Sequence, residues 1–185
     1  MCNVFDAASF FIDMANNETE DSMTNLRLNK LLYFAQGLHL ARYGIPLFDN
    51  DFEAWPYGPV AAPVYEKYKG YGRDAIRSVD PNYYQRLQGN EVDTLLDVFR
   101  EYGKYTSAGL VKLTHAKSSP WSETCNRSQR GIIPMNEMKE FFSKPEYHVR
   151  SVGDDLFLAV KAGKIRVVEE FSRDDDEYYE REIVV

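Results

Sequence analysis

The stretch TNLRLNKLLYFAQGLHLARYG, residues 24–44, decides the fold. One set of apolar side chains recurs at the spacing of a single helical face, namely Leu28, Leu31, Leu32, Ala35 and Leu38. A second set adds apolar area on the other side, namely Leu26, Phe34, Leu40 and Ala41. Thr24 is a suitable N-cap, and Gly44 with Pro46 beyond it is a suitable end. A helix that is apolar nearly all round is buried, so we expect this helix at the centre of the molecule.

Further helices are predicted on both sides of this central one. The first follows Asn3, the next covers Val60–Tyr68, and others cover Glu91–Tyr102, the segment after Thr106 or Ser107, the segment after Ser119-Pro120, and the segment from Ile133-Pro134 to Phe142. From residue 155 the pattern changes, because Leu156–Val160 and Lys164–Val168 flank Ala162-Gly163 as in a hairpin. We therefore expect a mainly α (α+β) fold: a helical domain over residues 1–150, with a β-rich acidic extension over 151–185 packed on it.

The segment EAWPYGPV, residues 53–60, is the second informative stretch. Its two prolines fix φ near −65° and donate no backbone hydrogen bond, so we expect neither helix nor central strand here. The segment is interpreted as a stiff elbow that holds Trp55 and Tyr57 in place. Such an elbow serves either as a packing corner or as a recognition surface.

The charge distribution limits the partners. The net charge is −7, and residues 154–185 alone carry ten acidic and five basic side chains. An acidic chain without a basic stripe argues against direct nucleic-acid binding and is compatible with a basic protein partner. Neither a secretory signal nor an apolar run of membrane-spanning length is visible, so we expect a cytoplasmic protein without membrane contact.

The residues that could carry chemistry form no recognised catalytic or metal pattern. His39, His115 and His148 do not have zinc-site spacing, Cys2 and Cys125 form no CxxC pair, and no phosphate-binding loop occurs, so we expect no metal and no cofactor. His115 lies within eleven residues of Ser118, Ser119 and Cys125, which leaves a hydrolase or transferase as an alternative function. In the other interpretation, Thr114 and His115 cap a helix end while Trp121 fills core.

Four pieces combine in order along the chain: TNLRLNKLLYFAQG (24–37), PLFD (46–49), FEAWPYGPV (52–60) with Val64-Tyr65, and LTH (113–115) with SPW (119–121). In this combination, residues 3–143 resemble the Panacea domain, also called the SocA-like antitoxin domain, of bacteria and their phages. The resemblance implies a non-enzymatic antitoxin that neutralises a protein toxin, usually encoded nearby, by direct binding. It also implies that the SocA branch acts as an adaptor that delivers its toxin to the Clp protease. The family has no agreed catalytic residues, so none is assigned.

The expected partner contacts are aromatic, since aromatic anchors commonly dominate binding energy; they are Trp55, Tyr57, Tyr65, His115 and Trp121. The expected structural motif residues are Leu28, Leu31, Leu32, Tyr33, Pro56, Gly58, Pro59 and Pro120. Leu31, Trp55 and Trp121 have the character of core residues, so the motif could instead be scaffold, with partner contacts elsewhere. A phage or mobile-element interaction protein without a toxin partner is a further alternative.

Overall fold

A computed structural model describes residues 1–17 and 23–151. The helices in these ranges are α1 Val4–Asn17, α2 Asn25–Tyr43, α3 Ala62–Tyr68, α4 Gly89–Tyr102, α5 Ser107–Thr114, α6 Pro120–Arg127 and α7 Met135–Phe142. The strands are β1 Phe52–Trp55, β2 Gly58–Val60 and β3 Ile132–Ile133. The mainly α class with a small β element is therefore confirmed. The chain divides into units Met1–Val149 and Arg150–Val185, and the predicted C-terminal hairpin lies outside the described residues.

Helix α2 is the central element, as predicted. The Thr24 hydroxyl accepts a hydrogen bond from the Arg27 amide, and Gly44 ends the helix with φ 74°. Helices α1, α3, α4, α5 and α7 all contact α2. Its motif side chains are buried, with Leu28, Leu31 and Leu32 at 0% exposure and Tyr33 at 1%. The hydrophobic core is thus arranged around this helix.

The strands form one antiparallel sheet in the order β2-β1-β3. Glu53 is opposite Val60 on β2 and opposite Ile132 on β3. The expectation that the elbow excludes a central strand is therefore wrong for Phe52–Trp55, which forms the middle strand. The prolines explain why this is allowed: Pro56 lies in the turn, and Pro59 lies on the edge strand, where a missing N–H breaks no ladder.

The surface of α2 that faces the connection to α3 is polar although it is buried. The side-chain oxygen of Asn29 accepts from the Ala61 backbone amide at 2.9 Å, and the side-chain amide of Asn25 donates to the Tyr65 backbone carbonyl at 3.0 Å. Gln36 accepts from the Leu47 and Phe48 amides at 2.9 and 3.2 Å and donates to the Phe48 carbonyl at 3.0 Å. These side chains supply hydrogen bonds that a buried non-helical backbone otherwise lacks.

Replacing Gln36 tests its hydrogen bonds to the Leu47-Phe48 backbone. Gln36→Ala leaves two buried amides and one carbonyl without partners, so we expect the free energy of unfolding to fall by about 3 kcal/mol. Urea denaturation measures the change. The matched control is Gln85→Ala, since Gln85 is exposed and its side-chain amide bonds to the exposed Tyr84 hydroxyl; we expect a change within about 0.5 kcal/mol. An equal loss of unfolding free energy in the two variants would contradict a stabilising role of the Gln36 hydrogen bonds.

Candidate functional site

Trp55 lies on the outward face of the sheet, where three neighbours fix its ring. Phe52 and Ala54 point into the core, whereas Glu53 and Trp55 alternate outward and are half-buried. The Trp55 indole donates to the Glu53 carboxylate at 2.8 Å. The Tyr65 ring lies 4.8 Å from the indole, and the Arg130 guanidinium lies 4.6 Å from it in a cation–π contact.

Two large apolar side chains extend this surface into solvent. Tyr57 is at the tip of the β1–β2 hairpin with 73% of its area exposed, and Ile132 on β3 is 59% exposed. Ile132 is opposite Glu53, so both side chains lie on the outward side of the sheet. The surface formed by Trp55, Tyr57, Tyr65, Arg130 and Ile132 is called the docking face below.

A backbone irregularity places Arg130 on this face. The Ala54 carbonyl accepts from the Arg130 amide, and the Ala54 amide donates to the Gly131 carbonyl. Two residues of the β3 side thus oppose one residue of β1, as in a β-bulge, and Arg130 has the left-handed φ of 55°. The bulge directs the guanidinium over Trp55.

Trp121 and His115 hold the hairpin to the helices beside it. The Trp121 indole donates to the Trp55 carbonyl at 2.9 Å, and its ring stacks on His115 with centroids 3.6 Å apart at 9°. Ser119 caps α6, and buried Pro120 occupies its first turn. Direct contacts therefore connect four of the five predicted contact residues, namely Trp55, Tyr65, Trp121 and His115. The fifth, Tyr57, is two residues from Trp55 in the chain. Leu31 is fully buried, as expected of a core residue, whereas Trp55 and Trp121 are half-buried, with Trp121 packed against the core.

Lys30 is buried beneath the hairpin, on α2. Its side chain is 0% exposed, and its ammonium group donates to the Pro59 carbonyl at 2.8 Å. Burial lowers the pKa of this group from 10.5 to about 7, since the charged form is poorly solvated there. Gly58, with φ 99°, closes over Lys30: a Cβ at this position would lie 2.6 Å from the Lys30 Cε and 2.8 Å from the Thr114 hydroxyl.

The surroundings of His115 bear on the enzyme alternative. His115 caps the end of α5, and its buried Nε2 has no hydrogen-bond partner within the described ranges. The Ser119 hydroxyl donates to the Thr114 carbonyl and accepts from the Ser122 amide, and the Cys125 thiol faces the Ala54 carbonyl. Burial, and then the charge of Lys30, lower the pKa of His115. Neither Ser119 nor Cys125 is therefore arranged as a nucleophile activated by His115.

Two other findings concern the described ranges only. No three His, Cys, Asp or Glu side chains there converge as a metal site would require. None of the helices there has the length and apolar character needed to cross a membrane.

Sequence reasoning missed the site roles of Lys30, Arg130, Ile132 and Glu53. The sequence did contain an indication for Lys30, because a lysine next to Asn29 within an otherwise apolar helix predicts a polar face that is buried. The sequence contained no such indication for Arg130 and Ile132, because the pairing of β1 with β3 that brings them to Trp55 joins segments far apart in the chain.

Gly58→Ala tests the close packing of hairpin on helix. Gly44→Ala is the matched control, because Gly44 also has a positive φ but meets only the flexible end of Lys139. We expect Gly44→Ala to lower the free energy of unfolding by about 1–2 kcal/mol through backbone strain. Gly58→Ala adds a steric cost of about 1–3 kcal/mol. Urea denaturation followed by the fluorescence of Trp55 and Trp121, the chain's two tryptophans, measures both. Equal losses would show that the contact with Lys30 is loose.

Comparison with known proteins gives the family. The model of the family "Antitoxin SocA-like, Panacea domain" matches residues 28–122, from α2 to the first turn of α6. Antitoxin SocA of Caulobacter vibrioides (strain NA1000 / CB15N) is 32% identical over 114 residues, which are 56% of this chain and 61% of that protein. The chain thus spans about three-fifths of the length of this curated relative. No solved structure matches. Because the family model covers more than half of the sequence, the chain belongs to the SocA-like Panacea antitoxin domain family.

Proposed function

We propose that this protein is an antitoxin that binds and masks a protein toxin, encoded near it, through the docking face. The observation that carries the proposal is the exposed tyrosine and isoleucine beside a fixed tryptophan, in a member of an antitoxin family. Tryptophan, tyrosine and arginine are the residue types that most often dominate binding energy. The docking face combines all three.

The geometry favours binding because the side chains of the docking face are already ordered before a partner arrives. Trp55 is already fixed by Glu53, Tyr65 and Arg130, so its side chain loses little conformational freedom when a partner covers it. Tyr57 projects from a turn whose backbone Pro56 restricts. The net charge of −7 favours a basic toxin and faster association with it.

Masking is the simplest mode of action, and an adaptor mode is its extension. An adaptor presents the bound toxin to a Clp-type protease, so the toxin's half-life in cells shortens when the antitoxin is present. Masking alone leaves that half-life unchanged. A pulse-chase measurement of the toxin with and without the protease therefore separates the two modes in the cytoplasm.

Tyr57→Ala tests the docking face. Since 73% of Tyr57 is exposed, we expect the free energy of unfolding to change by no more than about 0.5 kcal/mol. We expect toxin binding to weaken by about 2 kcal/mol, roughly 30-fold, as for a hot-spot residue. Co-expression with each neighbouring open reading frame identifies the toxin, and calorimetric titration then measures the affinity.

Tyr84→Ala is the matched control, because Tyr84 is 61% exposed on a turn that contacts α1. It should neutralise the toxin like the wild type. If Tyr57→Ala binds as well as Tyr84→Ala, the contact surface lies elsewhere. If no neighbouring gene is toxic alone and rescued by this protein, the antitoxin function itself is wrong, and the alternative of an interaction protein without a toxin partner takes its place.

A further inference from the structure

The buried amine of Lys30 has an unusual environment for a lysine. No part of its side chain is exposed, and the Pro59 carbonyl is its hydrogen-bond acceptor at 2.8 Å. Burial lowers its pKa, and no carboxylate among the residues that the structure describes offsets this effect. A lysine buried without an opposite charge is costly. Its place beneath the hairpin therefore requires an explanation beyond packing.

The titratable groups near Lys30 come from each element packed around it. His115, at the C-terminal cap of α5, is a second base, and the charge of Lys30 helps to lower its pKa. Glu53 on β1 is bound by the Trp55 indole on the outward face. Arg27, one turn away on α2, donates to the Gly103 carbonyl, and Tyr33, one turn away in the other direction, is buried.

Lys30 also belongs to a ring of contacts that includes Trp55 on the docking face. Its amine binds Pro59, and Gly58 next to Pro59 packs on both Lys30 and Thr114. The hairpin returns from Gly58 to Trp55, whose carbonyl binds Trp121. Trp121 stacks on His115, which follows Thr114. A movement of the Lys30 amine is therefore transmitted to both ends of the turn that carries Tyr57.

We propose that Lys30 is the positioning residue of the docking face, because its buried amine holds Pro59 and thereby fixes the turn that presents Trp55 and Tyr57. When the hairpin lifts, the amine reaches water and becomes an ordinary lysine. The equilibrium between the closed and the lifted hairpin is then linked to the protonation of Lys30. The consequence for toxin binding rests on the proposed function, whereas the consequence for the hairpin does not.

The sign of the pH dependence follows from this linkage. Lys30 has a pKa of about 7 in the closed state and of 10.5 when solvated. Between these values the lifted state binds more protons, so a rise in pH favours the closed hairpin by up to about tenfold per unit. Below pH 7 both states carry the proton, and Lys30 contributes no further change.

Hydrogen exchange of the intact protein, measured by mass spectrometry between pH 6 and 9, tests the proposal without any partner. The readout is the protection factor of amides in residues 54–61, corrected for the intrinsic exchange rate. In the wild type we expect it to be constant below pH 7 and to rise about tenfold or more from pH 7 to 9. In Lys30→Met, which keeps a side chain of similar length, we expect no rise and at least tenfold less protection at pH 9. Lys117→Met, at an exposed lysine of the α5–α6 loop, should behave like the wild type.

Amides of α4 distinguish positioning from a general effect on stability. Positioning requires the hairpin amides to exchange faster than those of α4 and still to show the rise with pH. If the wild-type hairpin shows no rise, its opening does not change the protonation of Lys30 and the proposal is wrong. If it shows the rise only with the same protection as α4, Lys30 becomes solvated only on global unfolding, which also overturns the proposal. The wild-type profile decides this even if Lys30→Met does not fold.

The toxin identified by co-expression provides the second measurement. We expect Lys30→Met to bind it at least tenfold more weakly than Lys117→Met does at pH 9. Unchanged affinity despite a loosened hairpin would overturn the role of Lys30 in binding. Absence of any neighbouring toxin would instead refute the proposed function, and the exchange profile would still decide whether Lys30 holds the hairpin.

Discussion

The structure depends on the hydrogen bonds that the central helix gives to a non-helical backbone. The connection between α2 and α3 is buried at Leu47-Phe48 and at Gly58–Ala61, so the peptide groups there need partners within the protein. Asn29, Lys30 and Gln36 project from α2 and bind Ala61, Pro59 and the Leu47-Phe48 pair, respectively. The loop, the hairpin and the first turn of α3 are therefore all anchored to this one helix, and Trp121 and β3 hold the hairpin from its other side. Without these side chains, burying this segment would leave polar groups unpaired.

Length and charge state explain why a lysine serves at one of these positions. Asn29 has a short side chain and binds a backbone that passes close to α2, whereas the lysine stem spans the depth of the core to Pro59. An amine that is neutral part of the time still donates a hydrogen bond. A buried arginine would retain its charge at any relevant pH. Lysine is thus the cation that this dry position tolerates best.

Local chemistry made much of the fold predictable, and long-range pairing made the rest unpredictable. The caps at Thr24 and Gly44 and the apolar periodicity between them defined α2 correctly. The middle strand was missed because the exclusion that Pro56 and Pro59 impose was applied to the whole segment, although Pro56 favours extended geometry at Trp55 before it. The partner strand β3 begins at Ile132, far along the chain. The same distance hid Arg130 from the candidate site, whereas the role of its aromatic residues in binding stays a prediction from the sequence.

The strand period of two removes the conflict between a scaffold and a recognition role for the motif. Phe52 and Ala54 point inward to the core, while Trp55, the last residue before the turn, points outward. Gly58 and Pro59 are buried against α2, and Tyr57 beside them is exposed. One short segment thus contains residues that build the domain and residues that are available to a partner. Folding and binding can therefore use the same segment, the first through its inward side chains and the second through its outward ones.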